Sequence, residues 1–334
     1  MKNSKNKQIK TVIIVGASGF LGKSLIKDLL KIKYFKIIAT TRNKKNIPKK
    51  LYIKSKALEI IELDLSNKKD IKRVISPECV VINLFYNWHN GMHYNLKLMS
   101  NLVDVCTQMK IKRFVHLSTA SVSGKPLDKL ITENTQCNPS TEYGITKLKM
   151  EKILTDKAKD YFDCVILRPT SIFGPGGNPL YKLARDLLYK PRVINFIRSS
   201  LFGIRRMNLV TVKNVTFAII FFINHSTSFE GDIYIISDDH NPKNNFNYIE
   251  KLLMQKLSIP YYKITYIMPH FILKTILFIM GKNNINPYTN FSSEKLFKFG
   301  FTPPVNFIDG LHEYGDWLRR NNSSSSHYSK KHNL

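Results

Sequence analysis

Apolar residues in this chain fall into short unbroken runs, separated by longer stretches in which they recur every three to four positions. Val12-Ile13-Ile14-Val15 is the first run, and four apolar, β-branched residues in a row predict a strand buried on both faces. Leu21, Leu25, Ile26, Leu29 and Leu30 follow at helical spacing. Runs at Phe35–Thr41, Leu58–Leu63, Cys79–Leu84, Arg113–Ser118 and Cys164–Arg168 predict five further strands. Between them, helices are predicted over Lys68–Ile75, Tyr94–Lys110 and about Thr141–Ala158. The second carries Leu96, Met99, Leu102, Val103 and Cys106 on one face, the stripe of a helix packed on a core. Strand–helix alternation of this length predicts an α/β fold with a doubly wound parallel sheet, and places a ligand crevice at the strands' carboxyl ends.

The first strand runs into glycines at 16, 19 and 22 before its helix begins. Strand, glycine turn and helix is the layout that holds a dinucleotide pyrophosphate. Gly16 permits the tight turn, Gly19 lets backbone N–H groups approach the phosphates, and Gly22 lets helix and strand pack closely. The spacing is Gly-x-x-Gly-x-x-Gly rather than the commoner Gly-x-Gly-x-x-Gly, so a plain glycine-rich turn is the competing reading.

After Phe173-Gly174-Pro175-Gly176-Gly177-Asn178-Pro179 the alternation loosens. Helices are predicted near Leu180–Tyr189, Tyr248–Lys256 and Phe271–Met280, and strands near Leu209–Val212 and Ile233–Ser237. The predicted organisation is a Rossmann-type domain over residues 10–175, re-entered around 205–240, and a smaller α/β substrate-binding domain mainly over 176–320. The polar stretch 321–334 predicts a disordered tail.

Composition changes this picture in one respect. Fifty-two basic residues against 24 acidic ones give a net charge of +28, which favours anionic partners. The lysines are spread along the chain with no dense block beyond Lys44-Lys45 and Lys49-Lys50, so a general bias towards Lys fits better than a nucleic-acid groove. Cys79, Cys106, Cys137 and Cys164 are widely spaced. They predict neither a metal site nor a disulfide framework, and fit the reducing cytoplasm. The most apolar segment, Ile264–Met280, is interrupted by His270 and Lys274 and is short of a spanning helix; it reads as a buried or surface-docking helix.

Tyr143 and Lys147 are four apart on a predicted helix and project from one face. A phenol beside an ammonium can act as a general base near neutral pH. The same Tyr-x-x-x-Lys spacing recurs at Tyr52 and Lys56, in a basic loop away from any strand end. Position distinguishes Tyr143, which follows Thr119 at the carboxyl end of the fifth strand. Thr119 could hydrogen-bond the substrate oxygen whose proton Tyr143 moves.

Together these segments resemble the extended short-chain dehydrogenase/reductase family, in its NAD-dependent epimerase/dehydratase branch acting on nucleotide sugars. The resemblance covers about residues 10–320. It rests on Gly16-Ala17-Ser18-Gly19-Phe20-Leu21-Gly22, Asp64-Leu65, His116 to Gly124, Tyr143-Gly144-Ile145-Thr146-Lys147 and Leu167 to Gly176, in family order. It implies that the glycine loop holds the pyrophosphate, that Asp64 bonds the adenine amino group, and that Leu65 packs on that ring. Lys147 would bind the nicotinamide ribose and lower the pKa of Tyr143, with Thr119 as the third catalytic residue. Asn83, Ser118 and Arg168 fall on the cofactor side of the same motifs. Alternatively, Asp64 caps the following helix, and Ser118 is only a strand-end hydroxyl. A homodimer is expected.

Departures from the family pattern bear on the reaction. Asn83-Leu84-Phe85-Tyr86 replaces small residues and crowds the nicotinamide side. Ser171 stands where an Asn often meets the sugar nucleotide, and Lys213-Asn214 replaces an acidic pair. Ala120 and Ser121 occupy the positions of the Asp-Glu pair of dehydratases, which disfavours water loss and leaves Ser121 on the substrate side. Arg205-Arg206 lies just ahead of the strand Leu209–Val212, one residue off the register where the family uses an arginine for the substrate diphosphate, so Arg206, or Arg205 if the register slips, is the expected ligand. The second strand ends in Thr41-Arg42 rather than an acid. A guanidinium there suits a 2′-phosphate and favours NADP over NAD, unless Arg42 stacks on adenine. The reading is an epimerase or ketoreductase of nucleotide sugars. Its alternatives are a dehydrogenase of a hydrophobic or lipid-linked alcohol at a membrane surface, and a non-catalytic NADP-sensing or RNA-binding protein.

Overall fold

The computed structural model describes residues 10–47, 55–124, 128–262, 269–279 and 286–329. Tyr52, Lys49, Lys50 and residues 264–268 and 280 of the apolar segment lie outside the described residues. The chain divides into two compact units. Unit 1 comprises Met1–Gly124, Cys137–Arg168 and Thr216–Tyr234; unit 2 comprises Lys125–Gln136, Pro169–Val215 and Ile235–Leu334.

The elements run β1 (Lys10–Val15), α1 (Phe20–Leu29), β2 (Phe35–Thr41), β3 (Leu58–Glu62), α2 (Lys68–Val74) and β4 (Val80–Asn83). Next come α3 (Gly91–Met109), β5 (Arg113–Leu117), β6 (Leu130–Ile131), α4 (Glu142–Ala158), β7 (Asp163–Pro169) and β8 (Ser171–Phe173). Helices α5 (Tyr181–Tyr189) and α6 (Arg192–Phe202) lead to β9 (Leu209–Thr211), α7 (Val212–Asn224) and β10 (Asp232–Ile236). The chain closes with α8 (Phe246–Lys256), α9 (His270–Ile279), β11 (Asn290–Phe291), α10 (Glu294–Lys298) and α11 (Phe307–Ser329).

A seven-stranded sheet in the order β10-β7-β5-β4-β1-β2-β3 forms the frame of unit 1. β1 pairs in parallel with β2 and β4, and β2–β3, β4–β5 and β5–β7 are parallel as well. Val12, Ile13 and Ile14 are fully buried, as expected of a central strand covered on both faces. The strand order reverses at β1 and β4, so the segments that follow these two strands diverge and leave a crevice at their carboxyl ends. The six strands expected in the first half of the chain are all present, each within a residue or two of its predicted limits.

The second half departs from expectation in two helices. α7 is a nearly continuous apolar run that sequence periodicity leaves ambiguous between strand and helix. Burial on several sides explains the pattern: Val215, Ala218, Ile219 and Phe222 are fully buried, and Thr216 donates from Oγ1 to the buried Asp28 of α1 at 2.8 Å. α6 was not anticipated because it exposes much of its apolar face, so its residues mark no core stripe. α11 runs to Ser329, and its buried Phe307, Leu311, Tyr314 and Leu318 anchor the helix. Unit 2 has its own core, in which α11 meets Phe173, Leu183, Phe246 and Leu253.

The turn between β1 and α1 depends on close backbone approach. A Cβ at Gly22 would lie 2.5 Å from the carbonyl oxygen of Ala17, whereas one at Gly19 would meet only the Gly16 oxygen, at 3.5 Å. Gly22→Val is therefore expected to cost about 1–3 kcal/mol of stability through overpacking. Gly19→Ser, which offers α1 a capping hydroxyl, is expected within about 0.5 kcal/mol of wild type. Urea unfolding of the two variants checks this, and equal losses would contradict it.

Candidate active site

Three groups of residues from unit 1 line one cavity of about 380 Å³. The glycine turn contributes Gly16, Ser18 and Gly19. Gly16 has φ +84°, and a Cβ there would come within 3.0 Å of the Phe85 nitrogen, so the segment after β4 closes down on the turn. Gly19 caps α1 without a side-chain hydrogen bond, and no acid occupies the first turn. The helix thus presents uncapped N–H groups and the positive end of its dipole, the arrangement that receives an anion. Phe20, Leu21 and Gly22 form the first turn of α1, where Leu21 and Gly22 are buried.

The second group is Arg42, Asp64 and Leu65. Asp64 accepts from the backbone N–H of Ser66 at 2.8 Å and from its hydroxyl at 2.7 Å. These bonds, with Arg42 nearby, hold its carboxyl below the usual range. The cap of α2 is Asn67, which accepts from the Lys69 N–H at 3.0 Å; Asp64 therefore does not fill the capping role that was its alternative reading. Arg42 is exposed at the end of β2.

The third group surrounds α4. Thr141 caps this helix by accepting from the Gly144 N–H at 3.1 Å. A Cβ at Gly144 would lie 2.8 Å from the Ser121 carbonyl oxygen, so glycine lets the helix start against the turn that carries Thr119. Thr119 Oγ1 donates to the Ser121 hydroxyl at 3.2 Å and stands beside Tyr143, where its side chain opposes the rise of the phenol's pKa. Ser121 is adjacent, its N–H donating to Thr119 Oγ1 at 3.2 Å. Lys147 is buried, with Nζ donating to the Leu117 carbonyl at 2.8 Å. Burial pushes the Tyr143 phenol up to about 12, against the effect of Thr119. Burial likewise lowers the Lys147 ammonium to about 7, against the pull of the Glu151 carboxylate.

One turn further along α4, Glu151 joins two residues expected on the cofactor side. Arg168 grips it through Nε at 3.0 Å and Nη2 at 2.6 Å, and the Ser118 hydroxyl donates to the same carboxylate. Ser118 lines the cavity, whereas Arg168 stands behind it. Asn83 is buried and also sits behind the wall, its Oδ1 accepting from the Phe85 N–H at 3.1 Å and so shaping the loop over Gly16. Ser171, Arg205 and Arg206 belong to unit 2. Ser171 is exposed on β8. Arg206 donates to the carbonyls of Asp239, Asn241 and Pro242, each at 3.1 Å. Arg205 lies over the Phe202 ring at 5.4 Å, and burial lowers its pKa.

Sequence reasoning missed Trp88 and Glu151 here. Trp88 stacks on Tyr143 with centroids 4.8 Å apart at 23°, while Tyr86, expected to crowd the nicotinamide side, meets the same ring edge-on at 4.8 Å. Between them, Asn87 fixes the loop by exchanging hydrogen bonds with Asn95, both at 2.8 Å. One of only two tryptophans in the chain, just past a strand's carboxyl end, was the available signal. Glu151 was legible as the third member of the series 143, 147, 151. Among the described residues, no group of three or more His, Cys, Asp and Glu could hold a metal ion.

The profile of the NAD dependent epimerase/dehydratase family matches residues 12–237. The chain belongs to this family. It is 29% identical over 186 residues to an uncharacterized UDP-glucose epimerase, YtcB, of Bacillus subtilis, covering 50% of this chain and 58% of that one. To the UDP-glucose 4-epimerase of Vibrio cholerae it is 24% identical over 255 residues, 72% of this chain and 74% of the relative. Several other curated relatives are matched over only about half of their own length. A UDP-glucuronic acid 4-epimerase from Bacillus cereus, solved with NAD, superposes with TM-score 0.72 at 18% identity, covering 94% and 98% of the two chains. Dehydratases as well as epimerases share the fold.

The buried amine gives a pH test. With its pKa held near 7 against an ordinary 10.5, Lys147 makes the native state bind fewer protons than the unfolded chain between those values. Stability should therefore rise with pH across that window and be insensitive to this group below it. Thermal unfolding of the cofactor-free protein is expected to show wild type gaining on Lys147→Met from pH 7 to pH 9. A difference independent of pH would contradict the burial argument.

Proposed function

We propose that this protein is an NAD(P)-dependent enzyme of nucleotide sugars, an epimerase or ketoreductase in which Tyr143 moves the proton of the reacting hydroxyl. The observation that carries the reading is the convergence of Tyr143 and Lys147 with the glycine turn around one cavity, with Thr119 beside the tyrosine. The cavity fits the cofactor the family implies. The N–H groups of the first turn of α1, which no side chain caps, suit the pyrophosphate, Asp64 and Leu65 the adenine, and Lys147 the nicotinamide ribose. Arg42, exposed at the end of β2, suits a 2′-phosphate, which favours NADP. When bound, the nicotinamide supplies reversible two-electron exchange with a sugar carbon.

The chain's own residues supply the proton chemistry. Tyr143 takes or returns the hydroxyl proton, and Thr119 hydrogen-bonds the same oxygen. A protonated Lys147 lowers the phenol's pKa. In the cofactor-free protein the amine's pKa near 7 leaves that charge only partly in place at neutral pH. Hydroxyls of the bound ribose, by accepting from Nζ, would favour the ammonium and so switch Tyr143 on with the cofactor. Ala120 and Ser121 offer no acid–base pair for water loss, which disfavours dehydration. On the substrate side the proposal names Ser121, Ser171 and the arginine pair. Arg206 is committed to backbone carbonyls, whereas Arg205 Nε has no hydrogen-bond partner among the described residues, so Arg205 is the better diphosphate ligand. A cytoplasmic homodimer completes the reading.

The test is turnover of UDP- and dTDP-hexoses with NAD or NADP, followed by chromatography of the products. Wild type should interconvert epimers, or oxidise the reduced cofactor against a keto-sugar. Tyr143→Phe should lose about 10²–10⁴-fold in rate while keeping its cofactor affinity. Failure of wild type to bind either UDP or dTDP with cofactor saturating would remove the nucleotide-sugar reading in favour of a hydrophobic alcohol. Full activity of Tyr143→Phe would remove the tyrosine assignment.

A further inference from the structure

Unit 2 carries an apolar surface that its own fold leaves uncovered. On α6, Val193 is 68% exposed, Ile194 49% and Ile197 56%, and Tyr189 at the end of α5 is 73% exposed. Positions 193 and 197 are one turn apart, and 194 lies within a turn of 197, so these side chains share one face. The opposite face of α6 is the packed one, with Asn195 and Ser199 buried. The surface is extended by Tyr261, itself half exposed. Arg192 ties that segment to the start of α6, donating to the Tyr261 carbonyl at 2.9 Å and lying over the Tyr262 ring at 5.6 Å.

Cations predominate along these two helices. Over residues 181–202 the chain has five basic residues (Lys182, Arg185, Lys190, Arg192 and Arg198) and a single acid, Asp186, while Glu250 of α8 lies buried against Ser199. Asp186 is buried and neutralised within the unit by Lys190 at 3.2 Å and Arg198 at 2.5 Å. Lys182, Arg185 and Arg192 are exposed. Lys182, Arg185 and Tyr189 follow one another at helical spacing on α5, so cations flank the aromatic and aliphatic side chains. Exposed aliphatic residues beside a cationic rim, on a helix that lies along the surface, match an anionic bilayer interface: apolar side chains enter the acyl boundary and the cations meet lipid phosphates. A second copy of this chain fits less well, since it would bring another +28 charges against a rim that is already basic.

We propose that the α5–α6 face of unit 2 docks the protein peripherally on an anionic membrane surface. The proposal is independent of which substrate the enzyme takes. It assigns the docking to Tyr189, Val193, Ile194 and Ile197, with Lys182 and Arg185 as the electrostatic component. Among the described residues no helix is long and apolar enough to cross a membrane, and surface docking requires none.

Vesicle flotation of the purified full chain tests this, using phosphatidylcholine vesicles with and without phosphatidylglycerol. Wild type should float with the anionic vesicles and not with the neutral ones, and added salt should release it. Ile194→Ser/Ile197→Ser and, separately, Lys182→Ala/Arg185→Ala should each lower the partition coefficient about tenfold or more. Circular dichroism and light scattering accompany each variant, to establish that fold and oligomeric state are unchanged. Three results would overturn the proposal: wild type failing to float with either vesicle; equal flotation of the protein with both pairs substituted, which places binding on another surface; or dissociation of an oligomer by Ile194→Ser/Ile197→Ser, which gives the face to a second copy.

Discussion

The site depends on three ionisable side chains along one face of α4, of which Lys147 and Glu151 are buried and Tyr143 partly so. Tyr143, Lys147 and Glu151 occupy successive turns, and taking an amine and a carboxylate out of water is costly unless each has partners. Glu151 has them in full: a two-point grip from Arg168 and the Ser118 hydroxyl. Removing one member of such a buried pair costs about 3–5 kcal/mol, so the base of the column is rigid. Lys147 has less, among the described residues a single backbone carbonyl within hydrogen-bond distance and a carboxylate one turn away. Its charge state is therefore the adjustable element of the site, and the residues beneath it hold it where a ligand hydroxyl can change that charge.

Close backbone approach sets the other wall. Gly22 lets α1 pack against the turn, Gly16 lets the loop after β4 lie over it, and Gly144 lets α4 begin against the Thr119 turn. In each case a methyl group would meet backbone atoms rather than a flexible side chain. The cavity is thus assembled from three contacts that only glycine permits, and its aromatic lining, Tyr86 and Trp88, is carried by a loop braced through Asn87 and Asn95.

Much of unit 1 was legible in the sequence because its strands are buried on both faces and read as unbroken apolar runs. The glycine turn and the pair Tyr143 and Lys147 were legible because their spacing is local. What stayed hidden was of two kinds. Long-range partners such as Glu151 with Arg168, 17 residues apart, leave no periodic signal, and Arg168 gave no sign that it would face a carboxylate behind the cavity wall. Elements whose burial is atypical were hidden too. α7 is apolar on most sides, and α6 leaves apolar residues in solvent, so neither shows the single stripe on which helix recognition relies. Trp88 is 70% exposed overall, yet its ring covers the phenol at the centre of the site.

The central claim is that the cavity of unit 1 holds a nicotinamide dinucleotide against Tyr143 and Lys147. Isothermal titration of the purified chain with NADP and with NAD tests it most directly, after any cofactor retained through purification has been removed. The account predicts saturable binding at one site per chain, weakened in Lys147→Met, with NADP bound the more tightly. A folded wild-type protein that binds neither cofactor would contradict it.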